Sequence, residues 1–259
     1  MRILERSNLH QIEALSQRGG RTLSVVDLIL ANTVSVEIAA CVAEAVGRGA
    51  SFLTAAQPGG AGKTALLAAL LGFLPGGVPI VTVDGPHVIA AAEEEETPQC
   101  YLAHEIGSGD WYGYLWGPVV ARYLALAAGP HMVASCLHAD TIEELYDALE
   151  SAPLKVPRST LLQIDFILFV HVDRVDAEAR GYRRRVAAVY QSDREAGEHR
   201  PVFRWDRARD AFEAVGYEPA GSGAADLAQF LEGMAASGLR DFAALRHAYL
   251  AFREENRIA

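Results

Sequence analysis

Short apolar runs alternate with helical patterns through the middle of the chain. Six of these runs predict strands, at residues 52–56, 79–83, 100–103, 132–136, 166–172 and 186–191. Between them, apolar residues at helical spacing predict helices over residues 66–74, 115–126 and 142–149. Strands that alternate with helices are typical of an α/β fold with a mostly parallel sheet.

Both ends of the chain are predicted to be helical. In the first part, apolar stripes indicate two helices, and a third over residues 36–46 ends at Gly47 and Gly49. After a short predicted strand at 202–205, two further helices carry apolar residues at i, i+3, i+4 and i+7: Leu227, Phe230, Leu231 and Met234, then Phe242, Leu245, Tyr249 and Phe252. The predicted organisation is a helical N-terminal segment (1–48), an α/β core (49–215) and a C-terminal helical appendage (216–259).

The amino-acid composition excludes several classes of protein. The 259 residues are 51% hydrophobic and 22% charged, which excludes a disordered chain. The net charge of −10 disfavours binding to nucleic acid. Three cysteines without a C-x-x-C pair make a zinc ribbon or a disulfide framework unexpected. Since neither a spanning segment nor a signal sequence is evident, we expect a cytoplasmic protein, reaching the inner face of a membrane only through a partner.

The strongest motif is a glycine-rich segment between a predicted strand and a predicted helix, with the sequence Gln57-Pro-Gly-Gly-Ala-Gly-Lys63-Thr64. It matches a Walker A phosphate loop except that Gln57 replaces the first glycine. Glycines let backbone N–H groups turn towards phosphate, and the helix N-terminus favours the same anion. Lys63 can reach the β- and γ-phosphates, and the Thr64 hydroxyl can bind Mg²⁺. The predicted ligands are ATP and Mg²⁺, and the predicted nucleotide-binding residues are Pro58, Gly59, Gly60, Ala61, Gly62, Lys63, Thr64 and Ala65.

A phosphate loop alone does not separate an ATPase from a GTPase or a small-molecule kinase. The chain has no Asn-Lys-x-Asp segment, which a GTPase uses to recognise guanine. A kinase lid would need arginines over the phosphates, and the one candidate cluster is Arg180, Arg183, Arg184 and Arg185. This cluster falls in a predicted strand hairpin, which disfavours the kinase. The glutamates at 93–96 predict a solvated loop rather than a metal site.

Further segments resemble a known family. They follow the phosphate loop in this order: Thr82-Val-Asp-Gly-Pro86, Tyr101-Leu-Ala-His-Glu105 and Ala134-Ser-Cys-Leu-His-Ala-Asp-Thr141. Together they are similar to the secretion ATPase superfamily, which powers type II and type IV secretion, type IV and tight-adherence pili and the archaellum. The resemblance covers residues 22–215, the C-terminal motor domain of that family. It implies a RecA-like P-loop core for residues 49–215.

The resemblance also implies site residues and partners. Asp84 stands in the family's acidic Asp box, and Glu105 matches the Walker B glutamate that positions the attacking water. His138 matches the His box residue that senses the γ-phosphate. Glu105 would also lie in the second shell of the Mg²⁺ ion that Thr64 binds. The implied assembly is a homo-oligomeric ring, a hexamer, or a hetero-ring with a paralogue, acting with an inner-membrane platform protein.

Departures from the family pattern leave two functions open. Residues 85–104 contain no arginine, and Ile106 follows Glu105 where an arginine is usual. Asp84 is followed by Gly85 instead of belonging to a Glu-Asp pair, and the region before the phosphate loop has only about 50 residues. The first hypothesis is an ATP-hydrolysing motor subunit of a pilus or secretion machine. The alternative is a catalytically weak nucleotide-binding accessory protein that docks on a true secretion ATPase.

Overall fold

The computed structural model describes residues 3–15, 20–174, 181–217 and 222–256. Within them, the helices are α1 (Ile3–Ala14), α2 (Val25–Leu30), α3 (Val36–Val46), α4 (Lys63–Leu71), α5 (Pro86–Ala92), α6 (Val119–Ala125), α7 (Ile142–Glu150), α8 (Arg158–Leu161), α9 (Gly223–Ser237) and α10 (Phe242–Glu255). The strands are β1 (Phe52–Ala55), β2 (Ile80–Thr82), β3 (Cys100–Leu102), β4 (Glu105–Ile106), β5 (Tyr114–Leu115), β6 (Met132–Leu137), β7 (Phe166–Arg174), β8 (Tyr182–Asp193), β9 (Glu198–Asp206) and β10 (Ala211–Ala214). In the described ranges no helix is both long enough and apolar enough to cross a bilayer.

The strands form one mixed sheet in the order β10-β9-β8-β7-β1-β6-β3-β2. From β7 to β2 the neighbours are parallel, and β7, β8, β9 and β10 are joined by antiparallel pairing. The short strand β4 pairs in parallel with β6 and β5. The predicted α/β fold with a mostly parallel sheet is therefore confirmed. In such sheets, ligands bind at the carboxyl ends of the strands. The strand β1 is one of the central strands of this sheet.

Both faces of the sheet are covered, as a parallel sheet requires. Alternate residues of each strand point to opposite faces, so Phe52 belongs to one apolar cluster and Leu53 to the other. The first cluster includes residues of α1 to α4, α9 and α10; the second includes residues of α5 to α8. The helices at both ends of the chain thus pack on the same face as α4, the helix that follows the phosphate loop.

Charged and aromatic contacts connect the terminal helices to α4. The buried Arg246 side chain of α10 pairs with Glu5 of α1 and donates to the carbonyls of Gly72 and Leu74, just after α4. The rings of Phe73 and Tyr249 lie edge to face, with centroids 4.9 Å apart. The described residues of the segments 1–48 and 216–259 therefore share a core with those of 49–215, and the division of the chain into three parts stays a prediction.

Several predicted elements differ from those in the structure. The helix expected over 115–126 begins only at Val119, because Gly117 and Pro118 precede it and Leu115 lies in β5. The strands β4, β5 and β10 and the short helices α5 and α8 were not predicted, since two to seven residues carry too little periodicity. The predicted hairpin that holds the arginine cluster is confirmed for Arg183 to Arg185 in β8. Arg180 lies outside the described residues.

Candidate functional site

The phosphate loop connects the central strand β1 to α4. Gly60 and Gly62 have φ angles of 80° and 109°, in the left-handed region that favours glycine. The hydroxyl of Thr54 in β1 donates to the Lys63 carbonyl at 3.0 Å, which ties the strand to the first turn of the helix. Of the other predicted binding residues, Pro58 and Gly59 are exposed, Ala61 is buried, and Thr64 and Ala65 are half-buried. The loop is therefore exposed over its first residues and turns into α4 through a left-handed glycine.

Gln57, which replaces the first glycine of the Walker A motif, contacts the loop that follows β6. The N–H of Gln57 donates to the Asp140 carboxylate at 2.8 Å, and its carbonyl lies 2.6 Å from Nδ1 of His138. Gln57 is not among the non-glycine residues with positive φ in the described chain, which are Asn32, Lys155 and Asp210. A glycine is therefore not needed at this position, because its backbone conformation suits any residue.

Three predicted site residues meet beside the loop: Lys63, Glu105 and His138, here called the phosphate-loop cluster. The ammonium of Lys63 lies 3.5 Å from Oε2 of Glu105 and 3.2 Å from Nε2 of His138. The same His138 nitrogen lies 3.2 Å from Oε1 of Glu105. Lys63 and Glu105 are nearly buried, with 7% and 13% of their side chains exposed, whereas His138 is 43% exposed. A cation, a carboxylate and an imidazole thus lie in mutual contact beside the loop.

Strand pairing brings this cluster together. Glu105 is the first residue of β4, His138 directly follows β6, and these two strands pair through Ile106 and Leu137. β6 in turn pairs with β1, which leads into the phosphate loop. The buried Cys136 thiol donates to the His104 carbonyl at 3.0 Å, and burial raises its pKa to about 12. This cysteine is therefore a neutral structural donor rather than a nucleophile.

His138 contacts both the rest of the phosphate-loop cluster and the loop backbone. Because a carbonyl can only accept a hydrogen bond, Nδ1 must donate to Gln57. In the neutral ring, Nε2 is then an acceptor, which suits the ammonium of Lys63. In the charged ring, Nε2 is a donor, which suits the carboxylate of Glu105. In both forms of the ring Nδ1 donates to the Gln57 carbonyl, so His138 connects Lys63 and Glu105 to the loop backbone.

Asp84, the remaining predicted catalytic residue, follows β2. This strand pairs with β3, and the chain runs from the end of β3 at Leu102 to Glu105 in β4. The Asp84 carboxylate is 43% exposed and lies 3.5 Å from Nε2 of His87, and its ion pair among the described residues is with this histidine rather than with the phosphate-loop cluster. The catalytic role of Asp84 stays a prediction.

The three consecutive arginines of β8 have separate environments. Arg185 pairs with Asp210 through two contacts of 2.7 Å, and Arg183 pairs with Asp173 at 3.1 Å. Arg184, which lies between them, instead donates to the carbonyl of Gly60 in the phosphate loop, at 3.2 Å from Nε and 3.1 Å from Nη2. The sequence grouped these arginines but gave no sign of this contact, which joins residues 124 positions apart.

The carboxylates beside these arginines are held in the charged form. The hydrogen bond from Arg185 lowers the pKa of Asp210 to about 2. Burial raises the pKa of Asp173, but hydrogen bonds from Arg183 and His171 outweigh it, so this pKa is also lowered. Asp173, Arg183, Arg185 and Asp210 are here called the hairpin cluster. Their charges are mutually satisfied, which indicates a structural role.

The residues of the loop fit a nucleoside triphosphate bound with Mg²⁺. The left-handed glycines and the buried ammonium at the start of α4 are the groups that a triphosphate requires. Within the described ranges, no group of three or more His, Cys, Asp or Glu side chains could hold a metal by itself. In nucleotide sites Mg²⁺ takes one or two protein ligands together with phosphate oxygens. Thr64, the second residue of α4, stays the predicted ligand.

Comparisons with known proteins gave limited matches. No protein-family model matches the sequence, and no curated protein matches it either. Among solved structures, the chain is similar to the crystal structure of the VirB11 ATPase from the Brucella suis type IV secretion system in complex with sulphate. That alignment has 16% sequence identity and a TM-score of 0.44, and it covers 73% of this chain and 62% of the VirB11 chain.

Proposed function

We propose that this chain binds Mg-ATP at the phosphate loop and hydrolyses it. The observation that carries the proposal is the meeting of Lys63, Glu105 and His138 beside a loop with two left-handed glycines. These residues come from three separate parts of the sequence. A glycine-rich turn with a chance lysine would not place a nearly buried carboxylate within 3.5 Å of that lysine.

Each residue of the cluster has a chemical role in this proposal. The Lys63 ammonium compensates phosphate charge, and the Thr64 hydroxyl binds Mg²⁺, which when bound neutralises charge between the phosphates. The Glu105 carboxylate orients the attacking water and accepts its proton. His138 holds Gln57 through Nδ1, so that a change in the partner of Nε2 is passed to the loop.

We further propose that the ATPase acts as the motor subunit of a pilus or secretion-like machine. This step rests on the resemblance of the phosphate loop, the Glu105 segment and the His138 segment to the secretion ATPase superfamily. It includes a ring of identical subunits, or of this chain with a paralogue, and an inner-membrane platform protein as partner. In such a ring, rigid-body shifts between parts of each subunit would transmit the chemical step.

One observation favours the accessory alternative. Asp84 pairs with His87, so that among the ion pairs of the described residues the carboxylate on Lys63 is that of Glu105 and not that of Asp84. Residues 85–104 also provide no arginine. A protein of this kind would bind the nucleotide as a structural or regulatory ligand, with turnover below detection.

Phosphate release under single-turnover conditions tests the enzyme proposal. With the full chain in excess over Mg-ATP, we expect Glu105→Gln to slow release by about 10²- to 10⁴-fold, the range for loss of a general base. Glu198→Gln is the matched control, because Glu198 is an exposed carboxylate at the beginning of β9. Equal rates for the wild type and Glu105→Gln contradict the assignment. Saturable ATP binding without any release selects the accessory alternative.

A further inference from the structure

Arg184 is a half-buried cation beside the phosphate loop, and its described hydrogen bonds use few of its donors. Its guanidinium carbon also lies 5.9 Å from the ring centroid of the exposed Tyr182. A guanidinium has five N–H donors arranged to bind a carboxylate or phosphate in two places. Here two of its N–H groups converge on one neutral acceptor, the carbonyl of Gly60. Among the described residues, the ion pairs of β8 involve Arg183 and Arg185 and none involves Arg184.

Strand geometry explains why Arg184 differs from its neighbours. Side chains alternate along a strand, so Arg183 and Arg185 share one face, where they contact Asp173 and Asp210. Arg184 lies on the opposite face with Val186, which packs in the same apolar cluster as α4. Because β8 begins at the carboxyl edge of β7, this position overlooks the loop.

The loop is shaped around the arginine stem. A Cβ at Gly62 would lie 3.2 Å from Cδ of Arg184, and Gly62 has a φ of 109°. Gly62 therefore both forms the turn into α4 and leaves room for the arginine. Contacts with the loop at Gly60 and at Gly62 hold the guanidinium at the rim of the pocket.

The charge balance of the pocket calls for another cation. The charge of Lys63 is opposed by Glu105 at 3.5 Å, so that this pair supplies little net attraction for a polyanion. Backbone N–H groups of a phosphate loop cradle the α- and β-phosphates, which leaves the charge on the γ-phosphate oxygens to be compensated. Arg184 is a cation beside the loop without a described carboxylate partner.

We propose that Arg184 is a phosphate-binding arginine acting within its own chain, which exchanges the Gly60 carbonyl for the γ-phosphate of bound ATP. This inference rests on the proposed nucleotide site and deepens it. It assigns to β8 the cationic role that residues 85–104 cannot fill. When the γ-phosphate is present, the guanidinium would bind it and leave the Gly60 carbonyl. The arginine would thereby distinguish the triphosphate from the diphosphate.

Calorimetric titration of the full chain with Mg-AMP-PNP and with Mg-ADP tests this proposal. We expect Arg184→Gln to weaken AMP-PNP binding at least about tenfold, as expected for a lost hydrogen bond to a charged group, and to change ADP binding less than twofold. Arg184→Lys should recover part of the lost affinity, because it keeps the charge without the two-point geometry. Arg200→Gln is the control with the same charge change; Arg200 pairs with Gln191 across the strands, at the opposite end of β8 from Arg184.

The outcomes separate this proposal from the proposed function. Equal weakening of both nucleotides by Arg184→Gln overturns the proposal and indicates that Arg184 only supports the loop. Unchanged affinity for both nucleotides also overturns it, while the nucleotide site itself stands. If the wild-type chain binds neither nucleotide, both the site and this inference are contradicted.

Discussion

The phosphate-loop cluster and the hairpin cluster lie at the same edge of the sheet but differ in how their charges are paired. In the hairpin cluster, Asp210 accepts two contacts of 2.7 Å from Arg185 and one of 2.9 Å from Trp205. In the phosphate-loop cluster, Lys63 is 3.5 Å from its carboxylate and shares His138 with it. Short, saturated pairs stabilise a fold, whereas longer, shared contacts can be exchanged for a ligand.

The largest expected difference concerns the two neighbouring arginines of β8. Arg185→Met should lower the free energy of unfolding by about 2–3 kcal/mol, less than for a fully buried pair because Asp210 is 33% exposed. Arg184→Met should lower it by about 1 kcal/mol or less, since its described partners are one carbonyl and the ring of the exposed Tyr182. Urea unfolding of both variants checks this comparison. Equal losses would show that the clusters do not differ in structural importance.

The contribution of Asp210, in the hairpin cluster, to the free energy of unfolding should depend on pH. Its pKa falls from 3.8 to about 2 in the folded protein because of the hydrogen bond from Arg185. A lowered folded-state pKa contributes stability that is present above the unfolded value and is lost as the pH falls through the folded value. We therefore expect the stability difference between the wild type and Asp210→Asn to be constant above about pH 5 and to shrink between about pH 4 and pH 2. Urea unfolding at several pH values measures it, and a difference that grows on acidification would contradict the assignment.

The smallest expected effect is at Gln57. The φ angle of this residue is outside the left-handed region, so Gln57→Gly should restore the family pattern without improving nucleotide binding. The added backbone freedom should lower stability by about 0.5–1 kcal/mol. Thermal unfolding and Mg-ATP titration of this variant check both statements. A gain in affinity would show that the glutamine restricts the loop.

The sequence predicted the features that depend on local pattern. The buried strands β1, β3 and β6 are short continuous apolar runs, and the helix α3 has the bounds expected from its apolar residues and terminal glycine. The phosphate loop was evident because its glycines, lysine and threonine are adjacent. These elements are set by interactions close in the chain, which is why a pattern can indicate them.

The local sequence pattern does not predict contacts between residues that are far apart in the chain. The pairing of β4 with β6, which brings Glu105 to His138, involves a strand of two residues. The Arg184 contact with Gly60 depends on which face of β8 each arginine occupies. Motif order grouped Asp84 with the catalytic residues, and it gave no sign of the contact that Asp84 makes with His87. Only the sheet topology carries this information.

Calorimetric titration of Mg-ATP into the wild-type chain and the Lys63→Met variant tests the central claim most directly. Because Lys63 is the buried cation of the phosphate-loop cluster, we expect saturable one-to-one binding by the wild type and at least about tenfold weaker binding by the variant. Urea unfolding of both proteins is measured alongside, so that weaker binding is scored only under conditions in which the variant is folded. Absence of binding by the wild type, or equal affinity of the two proteins, would contradict a nucleotide site at this loop.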